Sequence, residues 1–235
     1  MPYGILTDAA ALLFGGIVGS VIGKKVPDEL KHTLNTVSGF CALMIGITLV
    51  IKLRNLSAVV LSVIVGTVIG ELFRLEQRVQ GGVKRIAARA MGVNSDLNGT
   101  DIDLLCAVAV IFCCSGTGWY GALNEGLTGD GTILITKAIL DFCTAVIFSA
   151  ALGKMVSFLV LPQLIIFMIL YFTAKSVLPL ISTSMIADFT AVGGVVELMS
   201  GMRIAGIKRD IRVINVVPAM ILVFFISAFW TTVIA

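Results

Sequence analysis

Residues 132–152 read TILITKAILDFCTAVIFSAAL, with Lys137 and Asp141 as the only charges. At about 1.5 Å per residue, a helix of this length covers roughly the 30 Å hydrocarbon core of a bilayer. No apolar–polar alternation marks a strand. A charge facing lipid at mid-bilayer costs roughly 2.5–3.5 kcal/mol on insertion scales. A span carrying two charges must therefore turn them toward protein or a wet cavity. Lys137 and Asp141 are four residues apart, which puts them on one helix face within reach of each other.

Runs of the same kind recur outward from this stretch, at about 5–22, 38–53, 57–73, 103–122, 157–174, 184–202 and 213–234. Backbone groups in lipid must bond within their own segment, so each run predicts an α-helix. The expected fold is an all-α, polytopic transmembrane bundle of about eight helices forming a single membrane domain over 1–235. The composition agrees. Of 235 residues, 58% are hydrophobic and 13% charged, and mean hydropathy is +1.05. A water-soluble domain has about half its residues apolar and a quarter charged, and a disordered chain is poorer still in apolar residues. Both classes are excluded.

The net charge of +3 gives no reason to expect a nucleic-acid partner. Cys41, Cys106, Cys113, Cys114 and Cys143 all lie in apolar runs, and His32 is the only histidine. No Cys/His ligand set, nucleotide loop or hydrolase motif is present. Neither an enzyme nor a cofactor is expected.

The basic residues sort by connection. Lys24, Lys25 and Lys31, then Arg74, Arg78, Lys84, Arg85 and Arg89, then Lys154, then Arg203, Lys208, Arg209 and Arg212 fall on one side, against Lys52, Arg54 and Lys175 on the other. By the positive-inside rule the first side is cytoplasmic. Both termini are then expected outside a bacterial cytoplasmic membrane. In the longest connection, Leu75, Val79, Val83, Ile86 and Ala90 recur at helical spacing, which predicts an amphipathic helix over 74–92 on the inner leaflet.

An internal likeness suggests a repeat. Gly39-Phe40-Cys41-Ala42-Leu43-Met44-Ile45-Gly46 and Gly194-Val195-Val196-Glu197-Leu198-Met199-Ser200-Gly201 share G-x-x-x-L-M-x-G. The two runs point in opposite directions across the membrane by the loop count. Segments 5–73 and 157–234 are thus candidate inverted copies around a central hairpin, 103–152. Transporters built this way place their sites where paired helices are broken at mid-membrane, which makes Gly39/Gly46 and Gly193/Gly194/Gly201 candidate breaks. The alternative use of such glycines is close helix packing. The latter reading is preferred for Gly15, Gly19 and Gly23 and for Gly66 and Gly70, between helices or between two subunits of a homodimer.

The intramembrane polar residues supply the candidate solute- or ion-binding set: Asp141, Glu197, Lys137, Gly46, Gly201, Ser200, Asn215 and Glu71. Glu71 lies near the inner end of its span and is expected to snorkel or pair with Arg74. Asn215, one turn before the helix-disturbing Pro218, either satisfies a freed carbonyl or binds solute. Ser115-Gly116-Thr117-Gly118 interrupts its segment. Asp8 is expected at the outer interface, and the Asn124–Asp130 link as an acidic outer turn.

Gly15-Gly16-x-x-Gly19, Gly70-Glu71, Gly126-Leu127-Thr128-Gly129-Asp130, Lys137-x-x-Leu140-Asp141, Gly193-Gly194 and Asn215-x-x-Pro218 together resemble the bacterial domain-of-unknown-function family 554 of multi-pass membrane proteins. The chain departs from that pattern at Asp8, where Asn is usual. The resemblance implies a bacterial cytoplasmic-membrane protein and no particular reaction. The residues themselves lead to an expected small secondary transporter or channel-like permease for a small solute or ion, coupled to H⁺ or another cation. A non-transporting membrane scaffold or regulatory partner is the alternative.

Overall fold

The computed structural model describes residues 1–23, 27–82, 99–177 and 181–233. All regular structure among them is helical. In chain order the helices are α1 (Tyr3–Gly23), α2 (Asp28–Val50), α3 (Leu56–Leu72), α4 (Leu75–Gly82), α5 (Gly99–Cys113), α6 (Gly116–Thr128), α7 (Thr132–Leu152), α8 (Met155–Phe158), α9 (Val160–Val177), α10 (Thr183–Ile204) and α11 (Pro218–Val233). A 3₁₀ turn over Val213–Val216 precedes α11.

Among the described residues six stretches are individually long and apolar enough to cross a bilayer: Tyr3–Gly23, Leu104–Thr128, Thr132–Leu152, Met155–Ser176, Thr183–Ile204 and Val213–Thr231. The pair α3 and α4, bent by 60°, makes up to seven. The shorter apolar stretch Gly39–Val50 lies on α2. The eight apolar runs therefore fall on helices, the fourth and the sixth each on two in succession. Their outer faces carry large apolar side chains such as Ile139 (65% exposed), Phe172 (73%) and Phe225 (70%). In water such a surface would be an aggregation liability, whereas lipid tails are its natural solvent.

Glycines set how the helices pair. Gly15 lies on Phe142, Gly19 on Val146 and Gly23 on Ala150. The partner number rises in step, so α1 and α7 run parallel, with no room between their backbones for a Cβ. Gly39 meets Ala205 and Gly46 meets Leu198, and this falling partner number makes α2 and α10 antiparallel. Gly66 on Ala219 and Gly70 on Asn215 make α3 and α11 antiparallel as well. Gly118 on Phe167 and Gly126 on Tyr171 make α6 and α9 parallel. All four relations hold if the eight runs alternate in direction. The stripe at Gly15, Gly19 and Gly23, expected between helices or subunits, is thus occupied within the chain.

Two expectations are corrected. First, α2 and α10 run unbroken through Gly39, Gly46, Gly193, Gly194 and Gly201. Glycine costs a helix only about 1 kcal/mol relative to alanine, while an unsatisfied peptide group in hydrocarbon costs several. The helices stay intact, and the missing Cβ serves close approach instead: Gly46 packs on Gly194, and Gly201 on Gly39. The interruption lies in the fourth run, where α5 ends at Cys113 and α6 restarts with Ser115 as its N-cap. Second, the segment expected over 103–122 continues to Thr128, where Gly129 closes α6 in the left-handed conformation (φ 78°). Of the amphipathic helix expected over 74–92, the described part is α4; Val83, Ile86 and Ala90 lie outside the described residues.

Candidate functional site

The α1–α7 seam and the start of α9 bring four polar side chains together in an apolar setting. Lys137 on α7 forms its ion pair with Asp141 one turn along. Its Nζ also lies 3.3 Å from Asp8 Oδ2 on α1. Gln163 on α9 donates from Nε2 to Asp8 Oδ2 at 2.8 Å and to Asp141 Oδ2 at 3.2 Å. The Phe167 ring lies 5.5 Å from Nζ, a cation–π distance. Asp8 is fully buried, Gln163 is 1% exposed, and Lys137 and Asp141 are nearly as enclosed. One cation therefore faces two carboxylates in a low-dielectric interior.

Lys137 and Asp141 also line a cavity of about 300 Å³ between α2, α5, α6, α7 and α10. Ile45, Ile111 and Leu140 give it apolar walls. Ser115 and Thr117, at the α5–α6 interruption, give it hydroxyls, as do Thr136 and Thr144 on α7. Glu197 on α10 closes it from the far side and is 4% exposed. The structure thus unites Lys137, Asp141 and Glu197 about one cavity.

The remaining candidates lie elsewhere. Gly46 and Gly201 are packing positions in the α2–α10 seam. Ser200 donates its hydroxyl to the Val196 carbonyl one turn back. Asn215 caps α4, its Oδ1 accepting from the Glu76 amide at 2.7 Å. Glu71 is exposed and pairs with Arg212 at 2.7 Å, not with Arg74.

Two members of the cluster escaped the sequence reading. Asp8, expected at the interface, is sealed in the core because Lys137 reaches it from the neighbouring helix. Gln163 carries no charge and so no signal in a census of ions; an amide inside the apolar run 157–174 was the available hint.

Other buried acids have a different task. Glu125 accepts from the Gly4 and Ile5 amides at 2.7 and 3.1 Å. Far from being a solvated outer turn, it caps the start of α1. Asp188 accepts from the Arg54 and Asn55 amides, the Asn55 side chain and Ser227. Glu76 takes the Ile214 amide at 2.8 Å and Arg203 at 2.6 Å. A helix start exposes unpaired N–H groups and a positive dipole end, so a carboxylate from another helix is stabilised there. Between α6 and α7, the Thr132 hydroxyl and amide bond Asp130 at 2.6 and 3.0 Å and hold its carboxyl below its ordinary value.

Helices dressed in apolar side chains outside, with a buried ionic cluster opening on a cavity inside, define a multi-pass helical membrane protein. The chain belongs to the family described as "Protein of unknown function (DUF554)", which it matches over residues 3–228. It is 42% identical over 236 residues to "Uncharacterized protein YqgA" of Escherichia coli (strain K12), covering 98% of both chains. It is 25% identical over 238 residues to "Uncharacterized membrane protein YdfK" of Bacillus subtilis (strain 168), covering 97% of this chain and 98% of the relative. No solved structure matches.

Proposed function

We propose that this chain is a small permease whose solute or ion passes the cavity between α2, α6, α7 and α10. The observation that carries this reading is the cavity itself: Lys137, Asp141 and Glu197 border one space of about 300 Å³ within the membrane region. Ionisable side chains inside a membrane are rare, and those that border an internal space mark solute and ion paths. The interruption at Ser115 supports the same reading, since irregular backbone at membrane depth is tolerated where it lines a cavity.

An inverted repeat forms part of the proposal. The register that carries Gly39 onto Gly194 and Gly46 onto Gly201 also carries Asp8 onto Gln163, and these two side chains bond to each other. The two motifs pack antiparallel, as copies related by an axis in the membrane plane would. In this reading one repeat moves against the other, and each copy of the chain holds a complete site. Whether copies pair as a homodimer is a separate expectation of the reading.

The chain sits in a bacterial cytoplasmic membrane with both termini outside, on the count of basic residues. A C-terminal alkaline phosphatase fusion is then active and a C-terminal fluorescent-protein fusion dark; the reverse pattern refutes the orientation.

The direct test is electrical. Liposomes holding the purified chain are given concentration jumps of Na⁺, K⁺, ammonium and small organic solutes, and currents are recorded. At least one jump yields a current that Asp141→Asn and Glu197→Gln abolish. Currents equal to those of empty liposomes for every solute, or unchanged in both variants, overturn the proposal. Thr144→Cys is labelled by an impermeant maleimide through the cavity; a Thr144→Cys chain that takes up no more label than wild type contradicts a hydrated path.

A further inference from the structure

Among the described residues two acceptor oxygens in the cluster find no partner: Asp8 Oδ1 and Gln163 Oε1, both fully enclosed. A buried acceptor without a donor costs about 1–3 kcal/mol, and the pair belong to side chains that already touch through Gln163 Nε2 and Asp8 Oδ2. Charge adds a second discrepancy. Among the described residues Lys137 is the cation that Asp8 and Asp141 share, which leaves one surplus negative charge in the enclosed cluster.

We propose that Asp8 is the proton-binding group of this chain: protonated on Oδ1, it donates to Gln163 Oε1 while Gln163 Nε2 donates to Oδ2, closing an acid–amide pair. One proton thereby satisfies both orphaned oxygens and cancels the surplus charge. The donor count agrees. An amide nitrogen carries two hydrogens, and Gln163 already directs one at Asp8 and the other at Asp141. With Asp8 neutral, Lys137 belongs to Asp141 alone. When the proton leaves, Asp8 becomes a carboxylate again and competes with Asp141 for Lys137. Since Lys137 and Asp141 line the cavity, gain or loss of the proton changes the charge that a solute meets there.

The groups facing Asp8 are accounted for by element. From α7 come Lys137 and Asp141. From α9 comes the uncharged Gln163. Glu125 on α6 lies beyond the start of α1, bound to the Gly4 and Ile5 amides. Ser157 on α8 is neutral and lies on Gly16, about two turns further along α1, and Glu197 on α10 lines the cavity. A divalent metal is a poor rival, because the described residues contain no group of three or more His, Cys, Asp or Glu side chains placed to hold one. As the coupling ion of a permease this proton rests on the function proposed above; as a bound proton it does not.

The experiment is pH-jump infrared difference spectroscopy on the full chain in lipid. On acidification a carboxylic-acid C=O band appears. It is lost in Asp8→Asn, survives Glu197→Gln, and moves to higher frequency in Gln163→Leu, where its hydrogen bond is gone. Asp8→Asn keeps an amide–amide pair with Gln163 and so folds as a mimic of the protonated state. A band that persists in Asp8→Asn, fails to move in Gln163→Leu, or never appears overturns the proposal. So does thermal stabilisation by NaCl over choline chloride that Asp8→Asn abolishes, since the site would then hold a metal cation. A band without any solute current keeps the proton site and sinks the permease. A solute current that retains its pH dependence in Asp8→Asn sinks the coupling.

Discussion

Replacing Asp188 by alanine isolates the work of a buried carboxylate at a helix start. Its Oδ1 accepts from the Arg54 and Asn55 amides at 2.9 and 2.8 Å, and its Oδ2 from Asn55 Nδ2 at 2.9 Å and Ser227 Oγ at 2.6 Å. One side chain on α10 thus ties the start of α3 to the middle of α11. A hydrogen bond to a charged acceptor is worth about 1.5–3 kcal/mol, but four such terms do not add. Water can reach the exposed Arg54 turn and rebond the freed amides. Ser227 can turn its hydroxyl to a carbonyl of its own helix. The expected loss is therefore about 3–5 kcal/mol, the usual result of stripping one partner from a buried charged network. Asp188→Asn keeps one oxygen for the two amides and sets an NH₂ against Asn55, for a loss of about 2 kcal/mol. Ser227→Ala removes one such bond and loses about 1.5 kcal/mol. The assay is unfolding by SDS titration in mixed micelles, followed by circular dichroism, with amide exchange over the first turn of α3 as a local probe. Asp188 does not tie these helices together if Asp188→Ala lies within about 0.5 kcal/mol of wild type, or if Ser227→Ala costs as much as Asp188→Ala.

Three further outcomes follow from the packing and the charges. Gly70→Ala places a Cβ on the Asn215 carbonyl, and a backbone atom cannot swing aside, so the same titration registers a loss of about 1–3 kcal/mol; Gly81→Ala, with nothing within 4 Å, is neutral or slightly stabilising. Lys137→Met leaves Asp8 and Asp141 facing each other over Gln163 and loses about 3–5 kcal/mol, while Lys137→Met with Asp141→Leu recovers much of it. A double variant as unstable as the single one shows that charge balance is not what holds the cluster. Asp130 has its carboxyl held below its ordinary value by Thr132, so its cap is intact at all pH above the ordinary carboxylate range and is lost only as pH falls through the lowered value. Exchange of the Thr132 amide reports this, and faster exchange already at mildly acidic pH contradicts it.

Features that are local to one helix are legible in the sequence, and features between helices are not. A peptide group in lipid must be satisfied within its own helix, so an apolar run of sufficient length specifies a span wherever it lies in the chain. For the same reason the Lys137–Asp141 contact was legible: four residues apart on one helix, the two meet whatever packs around them. The interruption at Ser115 was signalled by its Ser-Gly-Thr-Gly run. The candidate glycine breaks stay undecided in the sequence, because the motif alone does not say whether a missing Cβ loosens a helix or admits a neighbour. Packing of Gly46 on Gly194 and Gly201 on Gly39 decided for the neighbour.

By itself, then, the amino-acid order determined the membrane class, the helical runs and one ion pair, all consequences of interactions within a single turn or a single span. Only the tertiary structure decided that Asp8 and Gln163 join that pair, that Glu197 borders the same cavity, and that Glu125, Asp188 and Glu76 cap helices other than their own. Each of these is a contact between helices distant in sequence. It depends on which glycine seam brings two backbones together and at what register, and neither is written into the periodicity of one run.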